Sequence, residues 1–142
     1  MKFVVDFSKQ SLYYSHTNYG VIEIKIYTIQ ISKWRKAEQL GVQFKDVTVK
    51  SGDKLFAPTW DFLMEYKQDL DEEKYVSKYL PLMRESYKNN KDKWLELCSM
   101  DSVAIACYCK AGEFCHRHLI VDILEKVCQA NNIEFERMGE IL

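Results

Sequence analysis

The stretch "VAIACYCKAGEFCHRHLIVDIL", residues 103 to 124, joins two elements of different periodicity and decides the fold. Its first part is a nearly continuous run of small apolar residues, which is typical of a buried parallel strand. From residue 115 onward the period becomes helical. The predicted buried face of this helix consists of Leu119, Ile120, Ile123, Leu124 and Val127. A buried strand that leads into an amphipathic helix predicts an α/β fold.

The segments on either side predict the same fold class. Alternating or β-branched runs predict strands over residues 2–7, 11–14, 20–31, 44–49 and 133–138. Helical spacing predicts helices over residues 33–41, 58–68, 71–90, 91–99 and 115–132. We therefore expect a single domain over residues 1–142 with three layers, in which a mainly parallel sheet carries helices on both faces, as in Rossmann-like folds.

Three local signals refine the helix predictions. Ser32 is a suitable N-cap for the first helix and Gly41 its natural end. In the second helix, Trp60, Leu63 and Met64 share one side, which predicts that this side is buried. In the third helix the corresponding residues are Tyr75, Tyr79, Leu82 and Met83, with Pro81 as a potential kink.

Composition excludes several classes of protein. Apolar residues make up 47% and charged residues 29% of the chain, which indicates a globular protein and excludes disorder. The net charge of −1 provides no bulk attraction to nucleic acid or anionic membranes. No run approaches the roughly 18 apolar residues of a membrane span, and the opening residues lack a signal-peptide core. Five cysteines, an odd number, favour free or ligand-bound thiols in a reducing cytoplasm.

The chemistry-bearing residues cluster where the buried strand meets the last helix. Ligands of open α/β sheets bind at the carboxyl ends of strands, and a helix start presents unpaired N–H groups to an anion. Arg117, His116 and the helix start are therefore predicted to hold a phosphate. Lys110, in the same loop, adds positive charge.

Two other strand ends carry basic and aromatic residues. The segment "KSGDKLFAPTW", residues 50 to 60, follows a predicted parallel strand and offers Lys50, Ser51 and Trp60. The first long strand is followed by Trp34 and Arg35. Cations for a phosphate beside aromatic faces for a base are typical of a nucleotide pocket.

Two other interpretations of the cysteine-rich loop stay open. Cys115 or Cys109 can act as a nucleophile, with His116 as base and Arg117 as oxyanion partner. Thiols and histidines are also zinc ligands, but Cys107 and Cys109 on a regular strand lie too far apart for one tetrahedral ion unless the strand ends between them. We therefore predict no metal and no cofactor, with Cys107 as a core residue. A protein-interaction surface on the tyrosine-rich helices, residues 72 to 97, is a further alternative.

The loop sequence "CYCKAGEFCHR", residues 107 to 117, resembles the cysteine and C-H-R signature of the domain of unknown function 488 family, in its compact phage and bacterial form. The segments "YTIQISKWR" and "FKDVTVKSGDKLFAPTW" support the resemblance, which covers residues 26–142. It implies a small α/β fold whose C-H-R helix start faces a cleft, and no settled activity. The family's signature positions fall on Cys109, Cys115, His116 and Arg117, and its D-V strand on Asp46 and Val47. The usual glycine–histidine pair after the first strand is replaced by "IQIS".

These observations lead to a functional hypothesis. We expect a small cytosolic protein that binds a nucleotide or a nucleotide-derived anion at the strand ends. If the chain is phage-encoded, as the resemblance suggests, we expect such a pocket to sequester a host nucleotide signal. The alternative is a cysteine-dependent hydrolase or transferase that acts on a nucleotide-like or phosphorylated substrate.

Overall fold

The computed structural model of the protein describes residues 22 to 142, and the strands predicted over residues 2–7 and 11–14 lie outside this range. We number the elements within it. The strands are β1 (Ile22–Gln30), β2 (Gln43–Asp46), β3 (Ser102–Cys107) and β4 (Ile133–Ile141). The helices are α1 (Trp34–Gln39), α2 (Trp60–Asp69), α3 (Glu72–Asn89), α4 (Lys91–Cys98) and α5 (His116–Ala130), and a 3-10 turn (Ile31–Lys33) precedes α1.

The four strands form one parallel sheet in the order β2-β3-β1-β4. The last residues of β1 and β3, Gln30 and Cys107, are paired, and Asp46 at the end of β2 is paired with Ala106. The three carboxyl ends therefore reach the same edge of the sheet at the same level. The predicted parallel α/β sheet is confirmed.

Helices cover both faces of the sheet, which confirms the three-layer architecture. On one face, Ile26 and Ile105 belong to a core cluster with side chains of the four helices α2 to α5. On the other face, Ile29 and Ala106 pack with Ala37 of the short helix α1. Successive residues of a strand point to opposite faces, which explains this division.

The predicted faces of the helices are confirmed in part. In α5, Ile120, Leu124 and Val127 are buried, as are Tyr75, Tyr79 and Met83 in α3, which continues through Pro81. The prediction for α2 holds only for Leu63, which is partly buried and packs against the core. Trp60 is 52% exposed and Met64 is exposed, and the buried residue of the helix is Phe62. The Phe62 ring meets the ring of Tyr75 edge-on, with centroids 5.1 Å apart, and this contact orients the helix.

The beginning of α1 also differs from the prediction. Ser32 lies within the 3-10 turn and provides no side-chain cap, so the α-helix begins at Trp34. The end agrees with the prediction, because α1 stops just before Gly41, whose φ of +72° is a left-handed conformation that glycine adopts without strain.

A bulge interrupts the pairing of β4 with β1. Arg137 is paired with Ile26 and Gly139 with the next residue, Tyr27, so Met138 is an extra residue. Gly139 has a φ of +92°, as expected of a glycine at such a kink. The bulge places Glu140 opposite Thr28, whose hydroxyl donates a hydrogen bond to the Glu140 carboxylate at 2.5 Å. None of the helices between residues 22 and 142 is both long and apolar enough to span a bilayer.

Candidate functional site

A cavity of about 190 Å³ lies at the carboxyl edge of the sheet, and we call it the strand-end pocket. The loop after β2, residues 48–50, forms one wall, and α2 forms the opposite wall. The end of β3, the loop that follows it and the first residue of α5 form the floor. The pocket therefore lies where the parallel topology predicts a ligand site.

The structure brings half of the ten predicted site residues into this pocket. Those that line it are Cys109, Cys115, His116, Lys50 and Trp60. Ser51 stands next to it, with its hydroxyl 3.3 Å from the hydroxyl of Tyr108, a lining residue. Trp34 and Arg35 belong to α1, which packs on the opposite face of the sheet, and the Arg35 guanidinium stacks on the Trp34 ring at 4.5 Å. The predicted contribution of α1 to the same pocket is therefore wrong.

The wall after β2 is held by the carboxylate of Asp46. Thr48 donates to it from its backbone N–H at 2.9 Å and from its hydroxyl at 2.7 Å, and the Ser51 hydroxyl donates at 2.6 Å. These bonds turn the chain after Asp46, which is why β2 ends there and not at residue 49 as predicted. Burial raises the pKa of Asp46, but the hydrogen bonds from Ser51 and Thr48 outweigh it, so this pKa lies below its ordinary value.

Gly52 completes the same turn. A Cβ atom at this position would lie 2.5 Å from both the Asp46 carbonyl oxygen and the Thr48 nitrogen. Only glycine permits this close approach of the two backbone segments.

Three thiols meet on the floor of the pocket and form what we call the thiol cluster. The Sγ atoms of Cys107, Cys109 and Cys115 all lie within 4.8 Å of one another. The strand ends at Cys107, so Cys109 lies in a turn and its sulfur comes close to that of Cys107. The argument against a common metal site assumed that Cys107 and Cys109 lie on one regular strand. That argument therefore does not apply. Cys107 is buried as predicted, yet it belongs to the site.

His116 presents one ring nitrogen to the thiol cluster. Its Nε2 lies 2.7 Å from the Val47 carbonyl oxygen, so Nε2 carries the proton and donates it to that oxygen. Nδ1 then keeps its lone pair and lies 3.9 Å from Cys107 Sγ and 3.8 Å from Cys115 Sγ. The residue is only 4% exposed, and burial lowers the pKa of His116, which favours the neutral ring. His118, the other histidine of the motif, lines a separate shallow cleft beside Glu140.

The three thiols differ in their affinity for a proton. Hydrogen bonds from the Cys107 and Cys115 thiols, together with the nearby charge of Arg117, lower the pKa of Cys109 far below its ordinary value. The corresponding contacts raise the pKa of Cys107 and of Cys115. Cys109 is also the one half-exposed cysteine of the five. Cys109 is therefore the thiol of the cluster that loses its proton most readily, and it lines the pocket.

Arg117 does not face the pocket, contrary to its predicted role as a phosphate ligand. It is fully buried, and it donates hydrogen bonds to the carbonyl oxygens of Cys109 at 2.8 Å and Lys110 at 3.3 Å. Its Nη2 also lies 3.0 Å from the Glu140 carboxylate. Because its donors are used in this way, Arg117 positions the loop that carries Cys109. Lys110 lies in that loop but outside the pocket lining.

Sequence reasoning identified Trp60 but missed the other aromatic residues that line the pocket. Tyr108 and Phe114 are immediate neighbours of the cluster cysteines, and this adjacency was a usable signal. Tyr66 and Lys67 on α2 gave no such signal, because their position over the strand ends depends on helix packing. The rings of Tyr66 and Phe114 lie 5.1 Å apart and close one side of the pocket.

A family model described as the active DUF488-N3 subclade, DUF488-N3a, matches residues 27–127, which is more than half of the chain. The chain belongs to the DUF488 family. The match includes the loop after β2, helix α2 and the whole thiol cluster, so the strand-end pocket of this DUF488 protein is built within the family's own segment. No match was found among curated proteins or solved structures.

Proposed function

We propose that this DUF488 protein binds a small ligand with a planar ring and negative charge, such as a nucleotide or a nucleotide-derived anion, in the strand-end pocket. The observation that carries the proposal is the lining, which combines exposed aromatic rings with two lysines. Trp60, Tyr66 and Tyr108 offer flat surfaces, on which a base can stack. Lys50 and Lys67 offer ammonium groups to a phosphate.

The charge of the lining supports the same ligand class. Among the described residues that surround the pocket, none is an aspartate or a glutamate, and two are lysines. The two lysines therefore attract an anion, and no carboxylate of the lining repels it. This proposal assigns the phosphate-binding role predicted for Arg117 to Lys50 and Lys67, because the Arg117 guanidinium is already paired with Glu140.

Direct binding measurements test the proposal. We would titrate the protein with a panel of mono-, di- and cyclic nucleotides by calorimetry, after native mass spectrometry of the purified protein to detect a retained ligand. Trp60→Ala and Lys50→Ala are expected to weaken binding at least tenfold. Trp34→Ala and Arg35→Ala are matched controls on the opposite face of the sheet and are expected to leave affinity unchanged. Equal losses in both pairs, or no binding by a folded protein to any nucleotide, would overturn the proposal.

A thiol-dependent hydrolase or transferase on the same ligand is the second candidate function. It is favoured by the position of Cys109, whose half-exposed thiol lies on the floor of the pocket in a loop held by Arg117. Turnover of a bound ligand that is lost in Cys109→Ser and kept in Cys128→Ser would support it. Tight binding without turnover would instead support sequestration of a nucleotide signal.

A further inference from the structure

We propose that the thiol cluster and Nδ1 of His116 together bind one zinc ion, with three cysteine sulfurs and one histidine nitrogen as ligands. The proposal goes beyond ligand binding in the strand-end pocket and does not rest on it. It also revises the expectation of a metal-free protein, which depended on the separation of two cysteines along a strand.

The sulfur positions fit a single tetrahedral ion. Zinc binds cysteine sulfur at about 2.3 Å, which places the sulfurs of a tetrahedral site about 3.8 Å apart. The sulfurs of Cys107, Cys109 and Cys115 lie within 4.8 Å of one another, so adjustments of about 1 Å or less bring them to these positions. Side-chain rotation alone can supply movements of this size.

His116 provides a fourth ligand that is already oriented. Tetrahedral zinc geometry places a nitrogen ligand about 3.5 Å from each sulfur, and Nδ1 lies 3.8 Å and 3.9 Å from two of them. The opposite ring nitrogen donates to the Val47 carbonyl at 2.7 Å, which is the outer contact that typically fixes a metal-bound histidine. His116 is more than nine-tenths buried, and the two thiols that Nδ1 contacts are only weak S–H donors to its lone pair.

The chemistry of the donors selects the ion. Three thiolates and an imidazole are soft or intermediate ligands, which favour zinc over the oxygen-seeking ions magnesium and calcium. The ligands come from the end of β3, the loop and the first turn of α5, so the ion would cross-link these segments. A zinc-loaded cluster has no free thiolate, and metal binding and thiol catalysis are therefore mutually exclusive states of the same side chains.

Cobalt provides a spectroscopic probe of the site. We would prepare the untagged, full-length protein reduced and metal-free, and titrate it anaerobically with Co²⁺. The expected result is saturation at one equivalent, with the intense visible bands of tetrahedral cobalt and near-ultraviolet thiolate-to-cobalt charge transfer. One equivalent of Zn²⁺ should then remove these bands. Saturation without them, or no one-to-one binding, would overturn the proposal.

Variants locate the ion. Cys107→Ser, Cys115→Ser and His116→Asn are expected to weaken zinc binding at least a hundredfold, measured by competition with a chromophoric chelator. Cys98→Ser and Cys128→Ser, buried thiols outside the cluster, are matched controls that should bind normally. Binding that survives all three cluster changes would overturn the assignment.

A measurement on the unaltered protein covers the case in which a cluster variant fails to fold. One equivalent of Zn²⁺ should slow the reaction of Cys109 with a thiol reagent at least tenfold, and an unchanged rate would count against the site. Because nucleotide affinity is measured separately, failure of the zinc site and failure of the proposed ligand pocket can be distinguished.

Discussion

The guanidinium of Arg117 lies 3.0 Å from the carboxylate of Glu140, and this ion pair joins the first turn of α5 to the last residues of β4. Arg117 is fully buried and Glu140 is largely buried. The same guanidinium donates to the carbonyl oxygen of Cys109. The pair therefore connects the end of the sheet to the loop that carries the central thiol of the site.

Arg117→Met should strongly destabilise the protein. The change leaves the Glu140 carboxylate without its charged partner and the Cys109 carbonyl oxygen without its donor from Arg117, and breaking a buried pair in this way costs about 3–5 kcal/mol. The control is Arg137→Met, whose exposed pairs with Asp122 and Glu125 should contribute about 1 kcal/mol or less. Denaturant unfolding followed by circular dichroism measures both, and equal losses would show that Arg117 has no special structural role.

Gly52→Ala should disturb the wall of the strand-end pocket. The added methyl group would meet backbone atoms of Asp46 and Thr48, which cannot move away as a flexible side chain can. We expect a loss of about 1–3 kcal/mol in the free energy of unfolding, as for other overpacked sites. An unfolding free energy equal to that of the parent protein would contradict the close approach seen at this turn.

Asp46→Asn should remove a pH-dependent part of the stability. The folded-state pKa of Asp46 is lowered, so its carboxylate stabilises the fold above the unfolded-state value near 3.8, and this contribution disappears as pH falls through the folded-state pKa. Because the carboxylate accepts three hydrogen bonds, we expect parent and variant to differ by about 1–3 kcal/mol at pH 7. The difference should shrink below pH 3.8. Unfolding curves at several pH values measure it, and a difference that stays constant with pH would contradict the prediction.

Cys109 should be the first cysteine to react with iodoacetamide in the folded, metal-free protein. Cys109 is partly exposed, whereas Cys98 and Cys128 have no exposed surface. Peptide mapping after brief labelling should therefore find the label at Cys109, with the two fully buried thiols labelled only after denaturation. Early labelling of Cys98 or Cys128 would show that the core opens more readily than its packing suggests.

The sequence was sufficient to predict the layered parallel fold because its signals are local. The alternation in β1, the apolar run of β3 and the periodicity of α5 each reflect one element and its environment. The face of α2 was mispredicted for the opposite reason. Either of two faces of this ten-residue helix could be buried: the one with Trp60, Leu63 and Met64, or the one with Phe62. The contact of Phe62 with Tyr75, which lies on another helix, decides between them.

The candidate site was predictable only where its members are close in sequence. Cys109, Cys115 and His116 lie within eight residues, and all three line the strand-end pocket. Arg117 was assigned to a ligand because its partner, Glu140, lies 23 residues away along the chain. The close approach of the three thiols was not predicted, because it depends on the end of β3 at Cys107. Tertiary contacts decide where a strand ends, and the periodicity of the sequence does not report them.

The bulge in β4 also limits how this part of the chain can vary between relatives. Met138 is partly exposed and unpaired in the ladder, so its side chain tolerates replacement. The bulge itself decides where Glu140 points. In a regular ladder from Arg137 onward, Met138 would stand opposite Tyr27 and Gly139 opposite Thr28, and Glu140 would turn to the other face of the sheet, away from Arg117. The link between the sheet and the thiol-bearing loop therefore depends on the glycine at position 139, whose left-handed backbone permits the bulge.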